Sequence, residues 1–270
     1  MISLTKHHGL GNDFLVCDVS RLDPGETKWA ERARAWCDRH RGIGADGLML
    51  LTINTADDLS MELYNADGSR AEMSGNGIRC LAQAAYLAQS RIGSASYVVH
   101  TDGGARTVVV DPVDAATIHA SVGMGPVSSL AEPDGWATLG CDPLRPVAHL
   151  STGNPHTVVG VDDVAAVDLL ALGTQVPQIN LEIIEPGPEP DAITMRVHER
   201  GAGITEACGT GACVSAWAAV EWGLAESSNG EILVHMDGGD AKVRLHQPEH
   251  GHVTLVGPAV LIARLQIEDT

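Results

Sequence analysis

The sequence predicts an α/β (α+β) fold of two pseudo-symmetric domains, each a set of strands wrapped around one central helix. Three observations carry that prediction. When Glu72 is laid on Glu206, EMSGNGIRCLAQAA falls on EACGTGACVSAWAA, with identities at the Glu, both Gly and three Ala. With the alignment shifted by one residue, HTDGG from His100 matches HMDGG from His235, each after an apolar pair and before a β-like run, RTVVV or AKVRL. Asn12 in GLGND and Asn154 in TGNPH form a weaker third match. The same order in both halves is the mark of a duplicated unit.

The elements follow in order. Short alternating runs punctuated by Gly, Asn and Asp read as strands throughout both halves. The stretch from Glu26 to His40 is less apolar and reads as an amphipathic surface helix. After SGNG a helix is predicted over Gly75 to Ala88, and after CGTG another over Gly209 to Trp222. Both are Ala-rich and low in charge, and a helix apolar most of the way round belongs inside a core. The boundary between halves is placed near residue 115, before TIHASVGMG, giving a first domain of 1–115 and a second of 116–258. The closing segment 259–270, with its run VLIARLQI, is expected to rejoin the first domain.

Composition narrows the function. The 270 residues are 44% hydrophobic and 19% charged, a balance that suits a folded core and argues against disorder. Aromatic residues make up only 3%, with Phe14 the single phenylalanine, a scarcity that argues against platforms for stacking single-stranded bases. A formal charge of −18 opposes binding to nucleic-acid backbones and anionic membranes. No apolar run is long enough to span a bilayer, and the start MISLTKHHG has no signal-peptide core, so a cytoplasmic location is expected. The six cysteines, Cys17, Cys37, Cys80, Cys141, Cys208 and Cys213, include no CxxC pair, so no metal site is expected.

The duplicated turns are where chemistry concentrates. A Ser or Cys just ahead of a helix sits where backbone N–H groups lack partners and the helix dipole is positive. Such a place receives anions, and it can lower a thiol pKa from about 8.5 into the range of roughly 3.5 to 7.5. Cys208 is therefore read as a reactive thiol, and Ser74 holds the same position in the first half. Gly209 and Gly211 leave the backbone open to close approach by a ligand.

The segments KHHGLGNDF, RGIGADG, YNADGSRAEMSGNGIRC, GNPH, ERGAGITEACGTGA and GPA, in that order along nearly the whole chain, resemble the successive motifs of the diaminopimelate epimerase family. The resemblance implies the same two-half fold and cofactor-independent inversion of LL-2,6-diaminopimelate to the meso form. In that reaction one thiolate removes the α-proton and a second thiol returns one on the opposite face. It places Ser74 and Cys208 at the two catalytic positions, and Gly75, Asn76, Gly209 and Thr210 at the donors to the α-carboxylate. Asn65, Asn154, Asn180 and Arg200 match positions that hold the distal carboxylate, Glu199 the one that pairs with the distal ammonium, and Asn12 a further substrate contact. A homodimer is the family's precedent.

Two residues depart from the family pattern: Gly47 stands where Gln is common, and Ser74 stands where the first catalytic cysteine belongs. A serine hydroxyl, with a pKa nearer that of water at about 15.7 than of a thiol at about 8.5, is a poor base, so impaired inversion is expected. A racemase of another amino acid and an inactive diaminopimelate-binding homologue are the alternative readings.

Overall fold

A computed structural model describes residues 1–20, 22, 28–227, 229–246 and 251–268. The chain divides into two compact units, Met1–Val122 with Gly257–Thr270, and Gly123–Val256.

The first unit contains β1 (Ile2–Gly9), β2 (Asn12–Asp18), α1 (Trp29–Cys37), β3 (Gly47–Ile53), β4 (Asp58–Asn65), β5 (Arg70–Ala71), α2 (Gly75–Ala88), β6 (Ala95–Thr101), β7 (Gly104–Pro112) and most of β8 (Thr117–Pro126). β1 and β2 form a hairpin whose two loop residues, Leu10 and Gly11, both have positive φ, at 57° and 83°. That conformation suits the right-handed twist of the flanking strands and sets Asn12 at the first position of β2. β2 pairs parallel with β3, β3 antiparallel with β4, β4 parallel with β6, and β6 antiparallel with β7.

α2 is buried from Gly75 through Tyr86 and packs against β1, β2, β3, β6 and β7. α1 is amphipathic as its sequence predicts, burying Trp29, Ala33 and Cys37 at four-residue spacing against Leu15, Cys17, Leu48 and Leu50. Its first helical residue is Trp29; Glu26 and Thr27, with which the expected helix began, lie outside the described residues.

The second unit contains β9 (Ser128–Ser129), β10 (Val147–Ser151), β11 (Pro155–Gly160), α3 (Leu169–Gly173), β12 (Asn180–Pro186), β13 (Ala192–Glu199), β14 (Gly203–Thr205), α4 (Gly209–Glu221), β15 (Glu231–Met236), β16 (Gly239–Leu245) and the start of β17 (His252–Ile267). Its pairing repeats that of the first unit. β11 and β12 are parallel, β12 and β13 antiparallel, β13 and β15 parallel, and β15 and β16 antiparallel. α4 enters after β14 as α2 enters after β5, and it packs against β10–β13, β15 and β16.

The division falls inside β8, at Val122 rather than near residue 115. Ile118, Ala120 and Val122 are still paired with β7 or buried beside it, so the strand belongs to the first core up to that point. From Val260 to Ile267, β17 pairs antiparallel with β1, with a register shift between Lys6 and His7.

Stability should therefore depend on the two central helices. Leu81 on α2 is fully buried, whereas Ile92 just beyond the helix is 96% exposed. Leu81→Ala should cost about 2–5 kcal/mol through lost burial and the cavity left behind. Ile92→Ser should stay within about 0.5 kcal/mol. Urea unfolding of both variants checks the contrast, and similar midpoints would contradict the central role of α2.

Candidate active site

The two helix starts are built alike. Ser74 is the N-cap of α2 in an extended conformation, φ −133° and ψ 125°, and its Oγ accepts the Gly77 N–H at 3.0 Å. Cys208 is the N-cap of α4 at φ −123° and ψ 113°, and its Sγ accepts the Gly211 N–H at 3.3 Å. Space is tight at the glycine three residues into each motif. A Cβ on Gly77 would lie 3.1 Å from Ser74 Cβ, and one on Gly211 would lie 2.6 Å from Glu182 Oε1 and 3.2 Å from Cys208 Sγ. Gly75 and Asn76, like Gly209 and Thr210, occupy the first two helical positions, ahead of the point where the helix's own i→i−4 ladder begins.

Side chains cluster around each start. In the first unit Asn76 Nδ2 donates to Asn12 Oδ1 at 3.4 Å, and Asn12 Nδ2 donates to Asp46 Oδ2 at 2.7 Å. Asn65, at the end of β4 opposite Gly47, is exposed and its side chain donates to Ser69 Oγ at 3.0 Å.

In the second unit Asn154 Nδ2 donates to Thr210 Oγ1 at 3.4 Å, and Thr210 Oγ1 lies 3.4 Å from Cys208 Sγ. Asn180 is buried and its Oδ1 accepts the Arg200 backbone N–H at 2.8 Å, leaving the Arg200 side chain on an exposed residue. Glu199 Oε1 accepts from Thr205 Oγ1 at 2.5 Å, and its charge is felt at the Cys208 thiol. Among the described residues no group of three or more His, Cys, Asp and Glu side chains is arranged to hold a metal ion.

The family model described as Diaminopimelate epimerase matches residues 4–130 and 149–262, spanning both helix starts and the motifs around them. The chain belongs to the diaminopimelate epimerase family. It is similar to the diaminopimelate epimerases of Thermosynechococcus vestitus, 38% identical over 97% of each chain, and Microcystis aeruginosa, 39% identical over 96% of each. That of Bacteroides thetaiotaomicron is 34% identical over 97% of this chain and 96% of its own.

Solved structures share the fold. A predicted epimerase of Pseudomonas aeruginosa aligns over 100% of both chains with a TM-score of 0.77 at 16% identity. A hydroxyproline epimerase of Agrobacterium vitis aligns over 98% of this chain and 90% of its own, with a TM-score of 0.69 at 15% identity. Membership of the diaminopimelate epimerase family makes the chain an isomerase with the α/β architecture read from the duplication.

Within this diaminopimelate epimerase relative, the electrostatics of Cys208 run against expectation. The helix start led to an expected fall in the thiol pKa, yet the thiol is pushed well above its ordinary value. Burial is the main cause, followed by the negative charges of Glu199 and Glu182; the contacts from Thr210 and Gly211 pull the other way and lose. Glu199 is itself raised, first by burial. In the free protein Cys208 is thus a protonated thiol whose neighbour is an unusually basic carboxyl.

Sequence reading missed four residues that shape the two starts. Glu182 and His156 form a fully buried pair at 2.6 Å, and His156 Nε2 reaches Asn154 Oδ1 at 3.1 Å, so hydrogen bonds run from Glu182 through His156, Asn154 and Thr210 to Cys208. Asp46 and Arg79 support Asn12 and Asn76 in the first unit. His156 and Arg79 lay inside the quoted motifs GNPH and SGNGIRC. The signal for Glu182 was a lone carboxylate in the apolar run NLEII.

Alkylation tests the thiol assignment. Cys141 is partly exposed while the other five cysteines are buried, so limiting iodoacetamide at pH 7 should label Cys141 ahead of Cys208. Glu199→Gln removes a negative charge beside Cys208, which favours the thiolate, so its alkylation profile should move to lower pH. Rapid labelling of Cys208 at pH 7 in the unsubstituted protein would contradict the raised pKa.

Proposed function

We propose that the protein interconverts LL- and meso-2,6-diaminopimelate by cofactor-independent proton transfer at one α-carbon, with Cys208 as the competent acid–base group and Ser74 as a weak partner. The observation that carries this reading is the matched pair of N-caps, with the same backbone conformation and the same side-chain contact to the third N–H. Homologues along nearly the full chain bear the diaminopimelate epimerase name, which supports the substrate.

The hard step is the carbanion, because an amino-acid α-hydrogen is far less acidic than any side-chain base can readily match. Charge that develops toward the α-carboxylate is met by preorganised N–H donors at Gly75, Asn76, Gly209 and Thr210, which need no reorganisation at the moment of transfer. Asn154, Asn180 and Arg200 take the distal carboxylate in this reading, with Asn65 and Asn12 as further contacts.

Glu199 was expected at the distal ammonium; its electrostatic influence on Cys208 supports a place at the reacting end instead. There its carboxylate accepts the Sγ–H proton, and the thiolate so formed takes the α-hydrogen. Burial raises the carboxyl as well as the thiol, which keeps the cost of that first transfer down. Ser74 then has to supply a proton on the other face, and its hydroxyl becomes an alkoxide unless it is reprotonated. Inversion is slow on that account. By the same family resemblance the enzyme acts as a homodimer in the cytoplasm, supplying meso substrate for lysine and peptidoglycan synthesis.

Incubation with LL-diaminopimelate and chiral chromatography tests the function, and slow appearance of the meso isomer is the expected result. Ser74→Cys should raise that rate by roughly 10²-fold or more, the scale of a positioned acid or base. Arg200→Lys replaces a bidentate fork with a point charge, so calorimetry should show diaminopimelate bound at least about 10-fold more weakly. No binding of diaminopimelate, together with turnover of a different amino acid, would overturn the substrate assignment.

A further inference from the structure

Arg79 is the largest side chain among those fully buried, and it sits on α2 one turn beyond Ser74. A cation goes so deep only where its donors are met. Its Nη1 donates to Gly75 O at 3.1 Å, its Nη2 to Asn76 Oδ1 at 3.0 Å, and its Nε to Pro258 O on β17 at 3.2 Å. Two motif glycines make room for the planar group. A Cβ on Gly9 would lie 3.0 Å from Arg79 Nη2, and one on Gly257 would lie 3.2 Å from Arg79 Cζ. Neither glycine has a positive φ, so space and not backbone freedom explains them.

The guanidinium also fixes a line of amides. Asn76 Oδ1 is taken by Arg79, which turns Asn76 Nδ2 toward Asn12 Oδ1. Asn12 Nδ2 is turned toward Asp46 Oδ2, and Asp46 Oδ1 accepts from Arg39 at 2.7 Å. Among the described residues the second half has no such buried cation. In the repeat Arg79 falls on Cys213, and the buried charge near that helix start belongs to Glu182 and Glu199. α4 adopts the same N-cap without an arginine, so the arginine is not a requirement of the helix start itself.

We infer that Arg79 is a positioning residue of the Ser74 half-site: its buried guanidinium holds Asn76 and the first turn of α2 in one orientation and gives that helix end a full positive charge. The charge favours an anion at Ser74 over the neutral form, and more so as negative charge grows on a bound carboxylate. The part of the inference that concerns catalysis rests on the proposed epimerisation; the part that concerns the field at Ser74 does not.

The test uses a thiol as a probe of that field. In the Ser74→Cys protein, the pH dependence of iodoacetamide labelling, followed by peptide mass spectrometry, gives the pKa of the introduced thiol. Adding Arg79→Gln should raise it by about one unit or more, the lower end of what a nearby opposite charge does, while adding Arg79→Lys should restore most of the difference. Equal thiol pKa values with and without Arg79, in proteins with native circular dichroism, would overturn the inference.

If Arg79→Gln does not fold, Gly9→Ala keeps the arginine and crowds its Nη2, and the thiol pKa should move upward in the same direction. An unchanged value there would overturn the inference as well. With Ser74 in place, Arg79→Gln should lower kcat for α-deuterium exchange of diaminopimelate at least about 10-fold while KM changes far less, because the loss is felt as charge develops, and Arg79→Lys should recover most of that loss. Should the unsubstituted protein fail to exchange diaminopimelate while the thiol shift persists, the substrate reading falls and the role of Arg79 stands.

Discussion

A buried helix start must satisfy backbone N–H groups that the helix itself leaves without partners, and each half of this protein is arranged around one such start. α2 and α4 are enclosed by strands along most of their length, so water cannot serve every donor. One side-chain atom at the N-cap takes the third N–H in each case, Ser74 Oγ or Cys208 Sγ, and a glycine at that third position makes the approach possible. In the proposed reaction the remaining donors at the tip face the substrate's α-carboxylate. Fold and binding capacity thus arise from one constraint, and duplication of the sequence duplicates both.

The halves differ in what lies beneath the tip. Under Ser74 there is a guanidinium held by two backbone carbonyls and an amide. Around Cys208 there are two carboxyl groups that help push the thiol upward, one of them, Glu182, paired with the buried His156. The raised thiol is protonated at rest, and in the proposed reaction it becomes a base when one of those carboxylates takes its proton. A hydroxyl above a guanidinium is poorly matched as a base, but the surrounding field suits a carboxylate. Within the proposed reaction the second half therefore handles the proton, while the first half steadies the charge.

Much of this was legible in the sequence. The repeated Glu, Gly and Ala placed α2 over the residues at which it is found and α4 within one residue, because an apolar helix after a Ser/Cys-Gly turn has a sharp start and low charge throughout. The ordered motifs gave the family. What escaped was the interior polar chemistry. Arg79 within SGNGIRC reads as an ordinary helical cation until Gly9 and Gly257, distant in sequence, are seen to frame it.

The sign of the Cys208 shift also escaped. A helix dipole is visible in sequence, whereas the burial and the carboxylates of Glu199 and Glu182 that outweigh it come together only in three dimensions. The domain boundary moved into β8 for a similar reason, since the strand's pairing with β7 continues past the point where the sequence pattern changes.

In the proposed reaction two helix starts alike in backbone carry unlike acid–base groups, so that the two faces of one α-carbon are served unequally. Its most direct test is a pair of proton-NMR time courses in deuterated buffer, one begun from LL- and one from meso-diaminopimelate. The account predicts that the isomer offering its α-hydrogen to Cys208 exchanges with solvent well ahead of its inversion, while the other isomer stays nearly inert. Equal, fast inversion from both directions would contradict it and show Ser74 to be an adequate partner.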